Sequence, residues 1–358
     1  MKAAATMLIA LCAARLSAQD SSRIGEAQSV LAPLIESYGV SGMETPVRAT
    51  VLKLLPAWAK TETDTAGNVW VRVGQGDPVV VFVAHLDEIG YRVDSVLDDG
   101  SLRITNQGGF FQSLFEAEPA LVHTPTGDVP GVFLPRDTGT TRHNPPPLRV
   151  NVGTTSRQAT LARGVSVGST ITMPKQFVRL AGTRATGRSM DDRVGDAAQI
   201  LALRHLDRSK LKHQVIFVFS TREEIGLEGA RAAATALGTT PRRVHAIDTF
   251  VSADSPLELQ TFATAKIGDG PVARSLDNSS VTPQAYVDSL AQVARARGLP
   301  LQIGTTNRGN DGSTFTPFGV VDVAMGWPLR YSHSPAEVID LRDVAALADL
   351  VQAIAEIW

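Results

Sequence analysis

The chain has 358 residues, 34 basic against 36 acidic side chains, and one cysteine. Its length exceeds what a single hydrophobic core usually serves, so two domains are expected. With charge nearly balanced and no long run of one sign, it carries no electrostatic footprint for nucleic acid or an anionic membrane, and its partners should be small or uncharged.

At the start, Lys2 precedes an apolar stretch from Ala3 to Ala14, followed by Leu16-Ser17-Ala18-Gln19. A positive region, an apolar core too brief to span a bilayer and small residues at a cut describe a signal peptide over residues 1–18. A frayed terminal helix is the alternative. Cys12 follows Leu11, where a lipid anchor wants a small residue. Cleavage after Ala18 leaves a mature chain with no cysteine, which fits an oxidising compartment, so export to the periplasm or medium is expected. No other stretch is long and apolar enough for a membrane span.

Residues from about Ile24 to Trp58 read as two helices, with Leu31, Leu34, Ile35 and then Val47, Val51, Leu54, Leu55 at helical spacing, broken at Gly39-Val40-Ser41-Gly42. Val69–Val73, Val79–Ala84, Val215–Ser220, Val244–Ile247 and Val320–Met325 read as buried strands. Their near-continuous apolar character, with helical patterns between, predicts an α/β fold whose largely parallel sheet is covered on both faces. Between Tyr91 and about Ala181 short β-like pieces (Ser101–Thr105, Ala120–His123, Val129–Phe133, Thr170–Met173) alternate with Gly, Pro, Asp and Asn, around a rigid Asn144–Pro147 loop. This predicts a small β domain inserted into the α/β domain. A helix is expected after Asp192 through Leu206, and another after Asp340 as N-cap, with Asp343 three residues on.

Five side chains along these elements make a ligand set for two metal ions: His85, Asp191, Glu224, Asp248 and His333. Two histidines and three carboxylates suit a pair of zinc or cobalt ions with one carboxylate bridging. Glu223, beside one of them, supplies the base that a water nucleophile needs, which points to a hydrolase. His85, Glu223, Glu224 and Asp248 fall at the ends of three strand-like runs, where α/β sheets place their ligands. Asp87 in His85-Leu86-Asp87 offers a carboxylate for the second imidazole N–H. Singly, each has a plainer reading. His85 could be a structural histidine, Asp191-Asp192 a helix cap and Glu223-Glu224 a helix start. Asp254 competes with Asp248, and His333 alone says little.

The order His-x-Asp, Asp-Asp, Glu-Glu, Asp, His resembles the co-catalytic metallopeptidases, in particular the glutamyl and deblocking aminopeptidases, a family that forms tetrahedral particles and includes members labelled endoglucanases. The resemblance runs through Gly39-Val40-Ser41-Gly42-Met43-Glu44, Asp64-Thr65-Ala66-Gly67-Asn68, His85-Leu86-Asp87-Glu88-Ile89-Gly90, Asp191-Asp192-Arg193-Val194-Gly195, Glu223-Glu224-Ile225-Gly226 and Arg330-Tyr331-Ser332-His333-Ser334-Pro335. It implies a three-layer, mostly parallel zinc-exopeptidase-like sheet with an inserted small β-barrel: catalytic segments 19–90 and 182–358 around an insert at 91–181 that drives self-association, from dimer to dodecamer. It also implies that Asp191 bridges both metals, that His85 and Asp248 complete one site and Glu224 and His333 the other, that Glu223 is the general base, that Asp87 orients His85 and that the Asp191-Asp192 peptide is cis. The substrates would be peptides with free N-termini. Two departures stand out. Gly309-Asn310-Asp311-Gly312 replaces a common Gly-Thr-Asp-Ala, and Asp269 stands where lysine is common; facing the pocket, it would disfavour acidic residues. The rivals are a paired-metal carboxypeptidase or amidohydrolase, a cellulase, for which no isolated carboxylate pair is evident, and a catalytically inactive, metal-free binding or assembly protein.

Overall fold

The computed structural model describes residues 21–136, 146–252, 254 and 265–358. The expected signal segment 1–18 with Cys12, and Asn144 and Pro145 of the predicted loop, lie outside these residues. Helices α1 (residues 21–36) and α2 (Thr45–Leu54) open the chain, broken at 37–44 as the sequence predicts. Strands β1 (Thr61–Thr63), β2 (Val69–Val73) and β3 (Val79–His85) follow. Next come β4 (Gly90–Val96), β5 (Leu102–Gln107), β6 (Pro119–Thr124), β7 (Gly127–Phe133), β8 (Arg149–Asn151), the short helix α3 (Arg157–Leu161) and β9 (Thr170–Thr172). Strands β10 (Val178–Arg179) and β11 (Arg184–Gly187) lead into α4 (Met190–His205), β12 (Val215–Ser220), α5 (Glu228–Leu237) and β13 (Pro241–Val251). The chain closes with β14 (Val272–Leu276), α6 (Gln284–Ala296), β15 (Gln302–Thr305), β16 (Val321–Asp322), β17 (Met325–Leu329), β18 (Glu337–Asp340) and α7 (Leu341–Ile357).

Among the described residues, nine strands form one sheet in the order β1-β2-β12-β3-β13-β17-β14-β15, with β16 also on β13. Its centre is parallel: β12, β3, β13 and β17 pair in that sense. Strand β3 is buried along its whole length. Val80, Phe82 and Ala84 pack with Val194, Ala198 and Leu201 of α4 and with Leu347 and Val351 of α7. Val79, Val81 and Val83 pack on the opposite face with Ala230, Ala233 and Ala234 of α5. A strand buried on both faces needs apolar side chains at both parities, which explains the unbroken run; each such valine contributes roughly 1.5–3 kcal/mol relative to exposure. The three layers are therefore helices, sheet, helices. Strands β4-β5-β8-β7-β6-β9 close a barrel with its own core around Tyr91, Phe115, Phe133 and Ile171. Both the mostly parallel sheet and the inserted barrel agree with the predicted fold class.

Two local expectations are revised. The run Val244–Ile247 lies inside the much longer β13, which pairs with β3 through Ala246 and with β17 from Ile247 onward. The expected strand Val320–Met325 divides into β16 and the start of β17, because β13 engages them at separate places. Helix α4 agrees with expectation instead: it opens at Met190, but Asp191 and Asp192 have non-helical angles, so regular helix starts after Asp192, and the peptide between them is cis as the resemblance implied. Asp340 caps α7 as predicted, accepting from Arg342 N–H at 3.0 Å. Among the described residues no helix is long and apolar enough to cross a membrane.

Candidate active site

His85 is the last residue of β3, and Ser220, at the end of β12, pairs beside it. The turn after Ser220 carries Glu223 and Glu224 before α5 begins at Glu228, so this pair is not a helix start. Asp248 lies within β13, two residues beyond its last pairing with β3. Asp191 sits in the irregular opening of α4. His333 lies in the turn between β17 and β18 with φ +60°.

Asp191 is the centre of this arrangement. Its Oδ1 lies 3.2 Å from His85 Nε2, and its Oδ2 lies 3.2 Å from His333 Nε2. Glu224 Oε1 is 3.3 Å from the same His333 nitrogen. Donor atoms of His85, Asp191 and Glu224 all fall within 4.8 Å of one another. Asp248 stands further out: it lines the same cavity of about 90 Å³ with Asp191, Glu223, Glu224, Arg308 and His333, and its Oδ2 faces Arg274 Nη1 at 3.4 Å.

The imidazole partners decide what the centre can hold. His85 Nδ1 lies 3.1 Å from the Asp87 carbonyl, and His333 Nδ1 lies 2.6 Å from the Gly109 carbonyl. A carbonyl only accepts, so each Nδ1 carries a proton, and in a neutral ring Nε2 then offers a lone pair. Both lone pairs would face carboxylate oxygens, and Glu224 Oε1 is buried with no hydrogen-bond partner. Such a cluster of acceptors needs positive charge at its centre, so the donor set fits a metal cation.

Without a cation, the demand for positive charge falls on the imidazoles. Burial pulls the histidines down, but carboxylates outweigh it, Asp191 and Asp87 around His85 and Glu224 and Asp191 around His333, and both stand well above the usual range. Burial pushes Glu223 well above the ordinary carboxylate range; His85 opposes this, while Asp248, Glu224 and Asp311 add to it. Burial also lifts Asp248 to about 7 against the pull of Arg274. A divalent cation would reverse much of this.

Supporting contacts go beyond those the sequence pointed to. Asp87 does more than face His85 Nδ1 at 3.5 Å: it accepts the N–H groups of Glu223 (2.9 Å) and Glu224 (3.2 Å), tying their turn to the end of β3. The neighbouring aspartates divide the two readings of their pair. Asp191 faces the histidines, whereas Asp192 accepts from His85 N–H (2.9 Å) and from Gly195 N–H in the first turn of α4 (3.0 Å). Glu337 accepts from both His333 and Met190, and burial lifts it to about 8. Asp254, the rival of Asp248, is instead paired with Arg330. The insert contributes no proposed ligand but does contribute the Gly109 carbonyl.

Both departures from the resembled pattern are accounted for locally. Asn310 joins Asp277 at 2.6 Å, and a Cβ on Gly312 would lie 2.2 Å from Asp322 Oδ1, so that glycine is dictated by its neighbour. The suggestion that Asp269 faces the pocket is corrected. Its loop is held at Gly268 and Gly270 by Asp343 (2.7 and 2.8 Å), and Asp269 is not among the described residues lining the cavity.

Fold and site together define a metal-dependent α/β hydrolase. Residues 67–350 match the M42 glutamyl aminopeptidase model, and the chain belongs to that family. It is 31% identical over 339 residues to the lysyl aminopeptidase of Pyrococcus furiosus, a match covering 90% of this chain and 95% of the relative. The TET1 peptidase of Pyrococcus horikoshii, described as assembling into a tetrahedron or a large octahedral shell, is similar at TM-score 0.84 and 30% identity over 94% of this chain and 100% of that one. An aminopeptidase of Desulfurococcus kamchatkensis is similar at TM-score 0.87 and 28% identity, covering 94% and 96%. The protein is a metal-dependent aminopeptidase, as the resemblance implied. The expectation of a signal peptide and of periplasmic or secreted export is corrected: these relatives, TET-type peptidases among them, conflict with it.

Proposed function

We propose that the protein releases N-terminal residues one at a time from short peptides with a free amine, using two divalent ions, zinc or cobalt. His85, Asp191 and Asp248 would hold one ion and Asp191, Glu224 and His333 the other, with Asp191 shared. The observation that carries this reading is that the two oxygens of Asp191 each face the Nε2 of a different histidine. Ions bound there would supply a Lewis acid for the scissile carbonyl and a water of lowered pKa. Glu223 takes the proton of the attacking water on its carboxylate and returns it to the leaving amine nitrogen. Asp87 keeps that carboxylate in place through the Glu223 N–H and keeps His85 in its tautomer through its own carbonyl. Titration of chelator-free protein with zinc or cobalt should saturate at two ions per chain, with turnover of a free-amine dipeptide rising alongside; saturation at one would sink the two-ion model. Hydrolysis of N-acetylated peptides at comparable rates would count against the free-amine requirement.

We also propose a division into catalytic segments 19–90 and 182–358 and an insert, 91–181, that carries the contacts of a homo-oligomer between dimer and dodecamer. The separate core of the barrel and its exposed Phe111, Val132, Leu161 and Val167 support that role.

A further inference from the structure

Two of the proposed donors sit on irregular backbone. Asp191 lies in the non-helical opening of α4, and His333 in a turn where Tyr331 and His333 both have φ near +60°. Left-handed backbone at residues other than glycine persists only where the surroundings fix it. One side chain bonds to both segments. Glu337, the first residue of β18 and only 2% exposed, accepts from His333 N–H through Oε1 at 2.8 Å and from Met190 N–H through Oε2 at 2.6 Å. Antiparallel pairing of β18 with β11 sets Glu337 opposite Gly187, so the carboxylate stands beside the chain just ahead of Met190.

We propose that Glu337 is a positioning residue whose single carboxylate clamps the His333 turn to the start of α4 and so fixes the separation of the His333 and Asp191 donors. This rests on the reading of those two residues as metal ligands. The chemistry of the side chain is what the role needs. Each oxygen of a carboxyl group keeps a lone pair that can accept, whether or not the group carries a proton, so one side chain can serve both N–H groups. Glutamine has the same shape, but must turn its NH₂ toward one of the two N–H groups and open the clamp on that side. Aspartate is one carbon shorter and reaches one partner at most.

The test compares Glu337→Gln with His333→Ala and with Val338→Ala, which loosens the same strand without removing a carboxylate. The readouts are cobalt affinity, the visible absorption spectrum of the cobalt-loaded protein, kcat and KM on a free-amine dipeptide, and thermal midpoint. Glu337→Gln should lose about 10–100-fold in cobalt affinity, as lost supporting contacts around a metal site typically do. It should also show an altered cobalt spectrum and a reduced kcat with KM little changed. Val338→Ala should keep the wild-type spectrum and kcat. Wild-type cobalt affinity and spectrum in Glu337→Gln, while His333→Ala loses both, overturns the clamp and leaves the ligand reading intact. Full metal retention by His333→Ala overturns the ligand reading itself, and equal losses in Val338→Ala reduce Glu337 to strand packing. Should Glu337→Gln fail to fold, Glu337→Asp carries the same measurement, with wild-type affinity and spectrum again overturning the clamp.

Discussion

Glu223 holds its Oε2 3.9 Å from His85 Nε2 while its own N–H is fixed by Asp87. Exchange to glutamine keeps the shape and removes the proton acceptor. Turnover of a free-amine peptide should fall about 10²–10⁴-fold, while metal content by atomic absorption stays at the wild-type level. Asp191→Asn acts differently, because it takes the charge from between two imidazoles; metal content and rate should fall together. An Asp191→Asn protein that retained its full metal content would count against the bridging role. At this scale the sequence was informative where a chemical residue adjoins an apolar run. His85 closes one strand, Glu223 and Glu224 sit just beyond another, and their side chains line or approach one cavity. It was silent about groups that matter only through where the chain returns. Glu337 meets Met190 across 147 positions, and Gly109 meets His333 across 224. Nothing in His-Ser-Pro-Ala-Glu distinguishes a clamp from a solvated acid.

Between β3 and β4, Glu88 joins elements that the strands alone would leave unconnected. It is fully buried and gathers Lys175 at 2.8 Å, Arg188 at 3.4 Å, Arg193 at 3.7 Å and the Gly39 N–H at 2.8 Å. Burial raises its pKa, but the three cations outweigh it and hold the group well below the usual carboxylate range. A depressed carboxylate adds stability that is complete above its unfolded value, near 4.5, and is lost as pH falls through the folded one. Glu88→Gln leaves three buried cations without their anion and should cost about 3–5 kcal/mol at pH 7. Its deficit against the wild type should shrink as pH drops below the unfolded value. Urea midpoints of metal-stripped protein across that range check this; a deficit constant with pH would contradict it. The barrel reaches the site through Gly108, where φ is +101° and an added Cβ would lie 2.6 Å from Ile89 Cγ2 and 3.2 Å from Glu224 Oε2. Gly108→Ala should weaken both stability and metal retention, whereas Gly127→Ala, also at positive φ but with nothing within 4 Å, should affect stability alone. Metal content of the two variants separates strain from contact. Strands β3 and β12 were legible because burial on both faces demands continuous apolar sequence. The division of Val320–Met325 was not, because Val323 and Ala324 are as buried as the strand residues around them and only a change of register on β13 separates the pieces.

For the molecule as a whole, the proposed homo-oligomer turns on which surface would join one copy to the next. Net charge is −2, from 34 basic and 36 acidic residues, so repulsion between copies is weak and apolar surface can decide the contact. Such surface occurs on both parts of the chain. The barrel segment exposes Val132 (46%) and Val167 (66%), and the catalytic part exposes Val281 (68%) and Ile303 (51%). None of the four lines the site cavity. Placing aspartate at both barrel positions puts charges where an interface would have to desolvate them. In the proposed arrangement this should reduce the particle mass in sedimentation or light scattering while kcat per chain stays within about twofold. Aspartate at Val281 and Ile303 should leave the mass unchanged. The opposite pattern, with mass lost from the catalytic pair and kept in the barrel pair, would move the assembly surface off the insert. It would leave the insert with its contacts at the site, the Gly109 carbonyl beside His333 and the close approach of Gly108 to Glu224.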